Sequence, residues 1–120
     1  MQKKHVLVVD DNAMNRRLAC AFLALLNWDV SECDSGIKAL DLIAVKTPDA
    51  ILLDISMPDM NGEDVCRKIR QNPALSQLFI VAYTAHAMVE ERSRILAAGF
   101  NDILIKPVSF DMIKSIFDEK

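Results

Sequence analysis

Short aliphatic, often β-branched runs alternate with stretches of helical periodicity along the whole chain. Residues 5–9 (HVLVV) read as a strand, and residues 13–26 as a helix entered through Asn12. A weaker strand at 29–33 precedes a helix over 36–45, and the apolar run 50–53 (AILL) ends on Asp54. After the turn Met57-Pro58-Asp59-Met60-Asn61-Gly62, residues 63–70 are helical. A fourth strand falls at 79–83 and a helix over 88–98 that Gly99 stops. The last strand is 102–105 and the last helix 110–117.

Strand–helix units in that order predict an α/β fold, a doubly wound parallel sheet with right-handed crossovers and helices on both faces. The runs 6–9, 51–53 and 79–82 are nearly unbroken in apolar residues, as central parallel strands covered on both sides should be. No repeat, linker or low-complexity stretch interrupts the pattern, so residues 1–120 read as one domain. In an open sheet of this kind, ligands bind at the carboxyl ends of the strands.

Composition narrows the class. A hydrophobic fraction of 52% with 26% charged residues belongs to a folded globular chain. A net charge of −3 and a pI near 5.3 lack the basic excess that nucleic-acid binding needs. Cys20, Cys33 and Cys66 are odd in number and form no C-x-x-C pair. They fit free thiols in a cytoplasmic setting better than disulfides or a zinc site. The apolar run 18–26 is far shorter than the ~20 residues that span a bilayer. The acidic, strand-like segment before it also excludes a signal peptide, so no membrane association is expected.

Polar residues close the strands one after another: Asp10 and Asp11 the first, Asp54 the third, Thr84 the fourth and Lys106 the fifth. Singly, each is an ordinary strand cap; together, on one predicted edge, they form a site. Neighbouring carboxylates repel one another unless a cation lies between them. Oxygen ligands without His or Cys favour a hard ion, Mg²⁺ first. The Lys106 ammonium and Thr84 hydroxyl, with such an ion, are suited to a phosphoryl group carried on one carboxylate.

The motifs VVDDN at 8–12, LLDISMPDMNG at 52–62, YTA at 83–85 and IKP at 105–107 resemble the receiver domain of response regulators over essentially the whole chain. The resemblance implies a flavodoxin-like sheet of order 2-1-3-4-5 with five helices. It also implies a phosphoacceptor domain of two-component signal transduction, not an enzyme acting on other substrates. Asp54 would take a phosphoryl group from the phosphohistidine of a histidine kinase or a histidine phosphotransfer protein. Asp11, Asp54 and the Ser56 carbonyl would bind Mg²⁺ directly, and Asp10 largely through a water. Lys106 would contact the phosphoryl oxygens, and Thr84 would move toward the phosphate and report it, switching contacts with a downstream protein target. Ala85 leaves room for the group. The family's Lys-Pro bond is usually cis, whereas sequence alone favours trans.

The fuller first motif, DDNAMNR, resembles receivers served by hybrid kinases and phosphorelays, although Asn12 is also a natural helix cap. Leu23 and Leu26 are candidates either for the donor contact or for the core. Ser56 and His86 occupy positions that flank the phosphoryl group in the family; His5 reads as a strand-edge residue. One departure stands out: Ile103 replaces the family's aromatic three residues before the lysine. Either the usual switch is muted, or Tyr83 takes a share of it, unless Tyr83 is only a sheet residue. Two rivals remain. A metal-dependent phosphohydrolase wants D-x-D after the first strand, and a flavodoxin-type module wants a Ser/Thr- or Gly-rich phosphate loop there. The chain has neither, and with its last helix ending the sequence no output domain is expected.

Overall fold

The computed structural model describes residues 3–85 and 88–118. Five strands, β1 (His5–Val9), β2 (Asp29–Cys33), β3 (Ala50–Asp54), β4 (Phe79–Thr84) and β5 (Asp102–Ile105), form one sheet of order β2-β1-β3-β4-β5. Every neighbouring pair is parallel, with Val6 opposite Ala50 and Ala50 opposite Phe79 across the middle. The helices are α1 (Ala13–Leu25), α2 (Gly36–Val45), α3 (Gly62–Arg70), α4 (Val89–Ala97) and α5 (Phe110–Phe117). The predicted doubly wound α/β fold and its strand order are therefore both present.

Alternation along the strands sorts the core into two layers. Leu7, Val9, Ile51, Leu53, Ile80 and Ala82 pack against α2, α3 and α4 through Ile43, Ile69 and Ile95. Val6, Val8, Leu52, Val81 and Tyr83 pack against α1 and α5 through Leu23, Ile113 and Phe117. Ile51, Leu52 and Leu53 are fully buried, each stabilising the fold by roughly 1.5–3 kcal/mol relative to exposure. Because β3 is covered on both sides, the residue at its end is delivered to a fixed place.

Boundaries moved by a residue or so, for local reasons. α3 starts at Gly62 rather than 63, because the Asn61 side chain caps it by accepting from Asp64 N at 2.9 Å. α1 stops at Leu25, where Leu26 is the cap and Asn27 takes a φ of 69°. α4 ends at Ala97, one residue before its cap Ala98, and Gly99 follows with a φ of 113°. A one-turn 3-10 helix at Pro73–Leu75, which the sequence pattern did not reveal, follows α3. The Lys106–Pro107 bond is cis, as the family resemblance implies and the residue statistics alone do not.

Candidate functional site

The register of the strands places the predicted site residues side by side. Asp10 follows β1, Asp54 ends β3 and Thr84 ends β4, while Lys106 follows β5. The backbone locks these ends together: Asp10 N donates to Cys33 O at 3.2 Å, Ile55 N to Tyr83 O at 3.2 Å, and Lys106 N to Thr84 O at 2.8 Å. Asp10, Asp54 and Thr84 are buried, Asp11 is exposed at the rim, and Lys106 is half-buried.

Carboxylate oxygens of Asp10, Asp11 and Asp54 all lie within 4.8 Å of one another. Lys106 Nζ stands 3.1 Å from Asp10 Oδ2 and 3.1 Å from Asp54 Oδ1, an ammonium wedged between two buried acids. Burial pushes the Asp54 carboxyl up to about 7, with the Asp10 charge adding to the rise and Lys106 opposing it. One positive charge does not balance three converging carboxylates.

The donor set fits a hard divalent ion. Asp10 Oδ1 is occupied, accepting from Asn12 N at 2.9 Å, whereas Oδ2 is buried and has no hydrogen-bond donor among the described residues. The Lys106 ammonium is at ion-pair distance from that oxygen but outside hydrogen-bonding geometry. A buried carboxylate oxygen that has an ammonium at ion-pair distance but no hydrogen bond, and that faces two further acids, is what an oxygen-ligated cation would satisfy. Ser56 N donates to Asp54 Oδ1 at 3.2 Å, and Ser56 lines, with Asp11 and Asn61, an open cleft of about 530 Å³.

Several neighbours that hold this site were not legible beforehand. Arg16 donates from Nη1 to Asp10 O at 2.9 Å and pairs through Nε with Glu32 Oε1 at 2.7 Å, tying the acidic loop to β2. Its place in the DDNAMNR motif was the available signal. Asp59, in the turn after β3, caps α2 by accepting from Ile37 N at 3.0 Å and Gly36 N at 3.3 Å. A Cβ at Gly62 would collide with the Asp54 carbonyl oxygen, so this position needs glycine for close backbone approach. Asn12 is indeed the cap of α1, accepting from Asn15 N at 2.9 Å.

Tyr83 and Ile103 separate into different layers. Tyr83 is fully buried on the α1/α5 side, its ring under Lys106 Nζ at 4.6 Å from the centroid. Ile103 packs against the opposite layer, with α2, α3 and α4. Tyr83 thus touches the site through a cation–π contact and is more than a sheet residue, but it does not stand where Ile103's aromatic counterpart would. Leu23 is fully buried, so its candidacy for the donor contact is withdrawn: it faces the sheet. Leu26 is half-buried against the same core, and the large exposed apolar residues of α1 are Met14, Leu18 and Leu25. His86 lies outside the described residues. His5 is half-buried, its Nε2 2.7 Å from Ser31 Oγ across the β1–β2 pair. Burial pushes the Cys20 thiol up to about 12 and the Cys66 thiol up to about 11.

A parallel 2-1-3-4-5 sheet with an acidic triad and a lysine at its carboxyl edge defines a receiver domain. Residues 6–118 match the response regulator receiver domain family, and the chain belongs to it. The hybrid-type signal transduction histidine-protein kinase BarA of Escherichia coli is 39% identical over 111 residues, which cover 92% of this chain and 12% of that protein. The sensor histidine kinase RcsC of Salmonella typhimurium is 37% identical over 109 residues, covering 91% of this chain and 11% of its own length. The chain thus spans only about an eighth or less of the length of these relatives, and matches their receiver portions. Among solved structures, the receiver domain of the sensor histidine kinase PA1611 from Pseudomonas aeruginosa superposes with a TM-score of 0.87 at 32% identity, over 96% of this chain and 94% of that one. That structure carries a magnesium ion coordinated in its active-site cleft. Vibrio cholerae chemotaxis protein CheY4, at 24% identity, 95% coverage of both chains and a TM-score of 0.90, shares the fold. No helix of the described residues is long and apolar enough to cross a membrane.

Proposed function

We propose that Asp54 is the phosphoacceptor of this receiver domain and that residues 1–120 work as one unit around it. The observation that carries the reading is the Lys106 ammonium at 3.1 Å from both Asp54 and Asp10, with Asp11 completing the cluster. In the transfer, an Asp54 carboxylate oxygen forms the new O–P bond as the N–P bond of a donor phosphohistidine breaks. The electron pair returns to the imidazole nitrogen. Such a step needs alignment and charge neutralisation more than proton chemistry.

Asp10, Asp11, Asp54 and the Ser56 carbonyl would hold Mg²⁺. When bound, that ion supplies charge neutralisation at the phosphoryl oxygens. Lys106 supplies the second positive charge, and its cation–π contact with Tyr83 and backbone bond to Thr84 O hold it in position. Thr84, buried at the end of β4, offers a hydroxyl to the phosphoryl group and carries news of it into the segment leading to α4. The domain catalyses its own phosphorylation and dephosphorylation and acts on no further substrate. Its donor is a histidine kinase or histidine phosphotransfer protein, and its product state engages a downstream protein, all in the cytoplasm.

The test is Mg²⁺-dependent incorporation of phosphate from a phosphohistidine protein, mapped by mass spectrometry. Label at Asp54 supports the reading; label confined to another residue refutes it.

A further inference from the structure

Among the described residues, the buried polar and charged side chains are Asp10, Asp54, Thr84 and Glu63. The first three belong to the site above; Glu63 has no part in it yet. It sits at the first turn of α3, directly after the Gly62 that presses on the Asp54 carbonyl. Its Oε1 accepts from Arg94 Nε at 3.1 Å, and its Oε2 lies 3.6 Å from Arg67 Nη2. Arg67 has a second acid of its own, Asp64, at 3.0 Å. The buried carboxylate is therefore chiefly the holder of Arg94, reached across from α4.

Arg94 and Glu63 line the same open cleft as Asp11, Ser56 and Asn61. Arg94 is the one basic residue among those lining it. Glu63 holds the Nε–H of Arg94, whose side chain is otherwise 55% exposed and so presents its guanidinium to solvent. A guanidinium carries five N–H donors in a rigid fork, suited to phosphate oxygens. Apart from Arg94 and its partner Glu63, the one charged residue lining the cleft is the acid Asp11, and an incoming phosphoryl donor is itself anionic.

We propose that Arg94 receives the anionic phosphoryl end of the donor at the cleft mouth, and that Glu63 is the positioning residue that aims it. The inference rests on Asp54 being the phosphoacceptor. The ligand class is a phosphoryl donor with free phosphate oxygens, such as an acyl phosphate. With acetyl phosphate, the Asp54 oxygen–phosphorus bond forms as the acetyl oxygen–phosphorus bond breaks, and acetate leaves with the electron pair. Arg94 touches the phosphate oxygens on entry and neither gains nor loses a proton.

The experiment measures labelling of Asp54 by acetyl phosphate in saturating Mg²⁺, as a function of donor concentration and ionic strength. Wild type is compared with Arg94→Gln, Arg94→Lys and Glu63→Gln. Arg94→Gln should lower the second-order rate constant by about 5- to 10-fold and flatten its dependence on salt, because the steering charge is gone. Arg94→Lys should recover most of the rate and the salt dependence, while Glu63→Gln should show a smaller loss. Mg²⁺ affinity should stay within about twofold throughout, since Arg94 carries no metal-binding group and the Glu63 carboxylate is engaged with Arg94 and Arg67 outside the acidic cluster. Wild-type rates and salt dependence in Arg94→Gln overturn the inference. So does equal damage in Gln and Lys variants with Mg²⁺ affinity lost, which marks a purely structural tie. A wild type that takes label only elsewhere refutes the Asp54 reading itself, and this inference with it.

Discussion

The ammonium of Lys106 stands 3.1 Å from Oδ1 of Asp54, delivered there by a backbone bond from Lys106 N to Thr84 O. The same ammonium is 3.1 Å from Asp10 and lies over the Tyr83 ring. It is a charge held by three neighbours and aimed at one carboxylate. Lys106→Ala should therefore slow labelling of Asp54 by about 10²-fold, the scale of removing one preorganised donor from a developing negative charge. Mg²⁺ binding should survive, because the acids remain. Labelling at the wild-type rate would show that the lysine plays no part in the transfer.

Metal binding has its own signature. The three carboxylates crowd within 4.8 Å, and Asp10 Oδ2 lacks a hydrogen-bond donor among the described residues, so a divalent ion should stabilise the fold. At a hundredfold excess over Kd, linkage gives about 2.7 kcal/mol, readable as a rise in Tm with added Mg²⁺. Asp11→Asn and Asp10→Asn should each abolish most of that rise. In the second, the amide oxygen can still accept from Asn12 N, so the fold is kept. An unchanged Mg²⁺ response in both variants would remove these residues from the metal site.

In chelator, Asp54 should make stability fall with rising pH. Its carboxyl is raised in the folded protein to about 7 by burial first and the Asp10 charge second, against an ordinary 3.8. The folded state thus holds the proton more tightly than the unfolded chain does. The stabilisation is fully present below about pH 4 and is lost as pH climbs through 7. Asp54→Asn removes the buried charge and leaves Lys106 paired with Asp10. It should be more stable than wild type at pH 8 by on the order of 2–4 kcal/mol, with the gap closing toward pH 4. Denaturant melts at the two pH values check this; a gap that does not vary with pH contradicts it.

Gly62 tests how tightly the backbone is drawn around the acceptor. A Cβ there meets the Asp54 carbonyl oxygen and the Ile55 Cα, both rigid backbone atoms. Gly62→Ala should destabilise the domain by about 2–3 kcal/mol and slow labelling, because the end of β3 must shift. A Tm within about 1 °C of wild type would mean that the turn gives way more easily than its packing implies.

Much of this was readable beforehand, for reasons particular residues make plain. The strands announced themselves because Ile51, Leu52 and Leu53 are buried on both faces, which leaves no polar position to interrupt the run. Asp10, Asp54, Thr84 and Lys106 were legible because each ends or follows a strand, and parallel order brings those ends to one edge. What stayed hidden depends on distance or on facing. Glu63 and Arg94 are 31 residues apart, and the first reads in sequence as an ordinary acid in the first turn of a helix. Leu23 and Leu25 look alike along an apolar helix, yet one is fully buried and the other 73% exposed. Tyr83 beside Thr84 gave no hint that its ring lies beneath Lys106, on the layer opposite Ile103.

The most direct test of the central claim is phosphorylation of wild type and Asp54→Asn side by side, by a phosphohistidine donor and by acetyl phosphate, with and without Mg²⁺. One phosphoryl group on wild type, mapped to Asp54, lost in chelator and absent from a folded Asp54→Asn, is the expected result. Mg²⁺-dependent label that persists undiminished in Asp54→Asn would contradict the account.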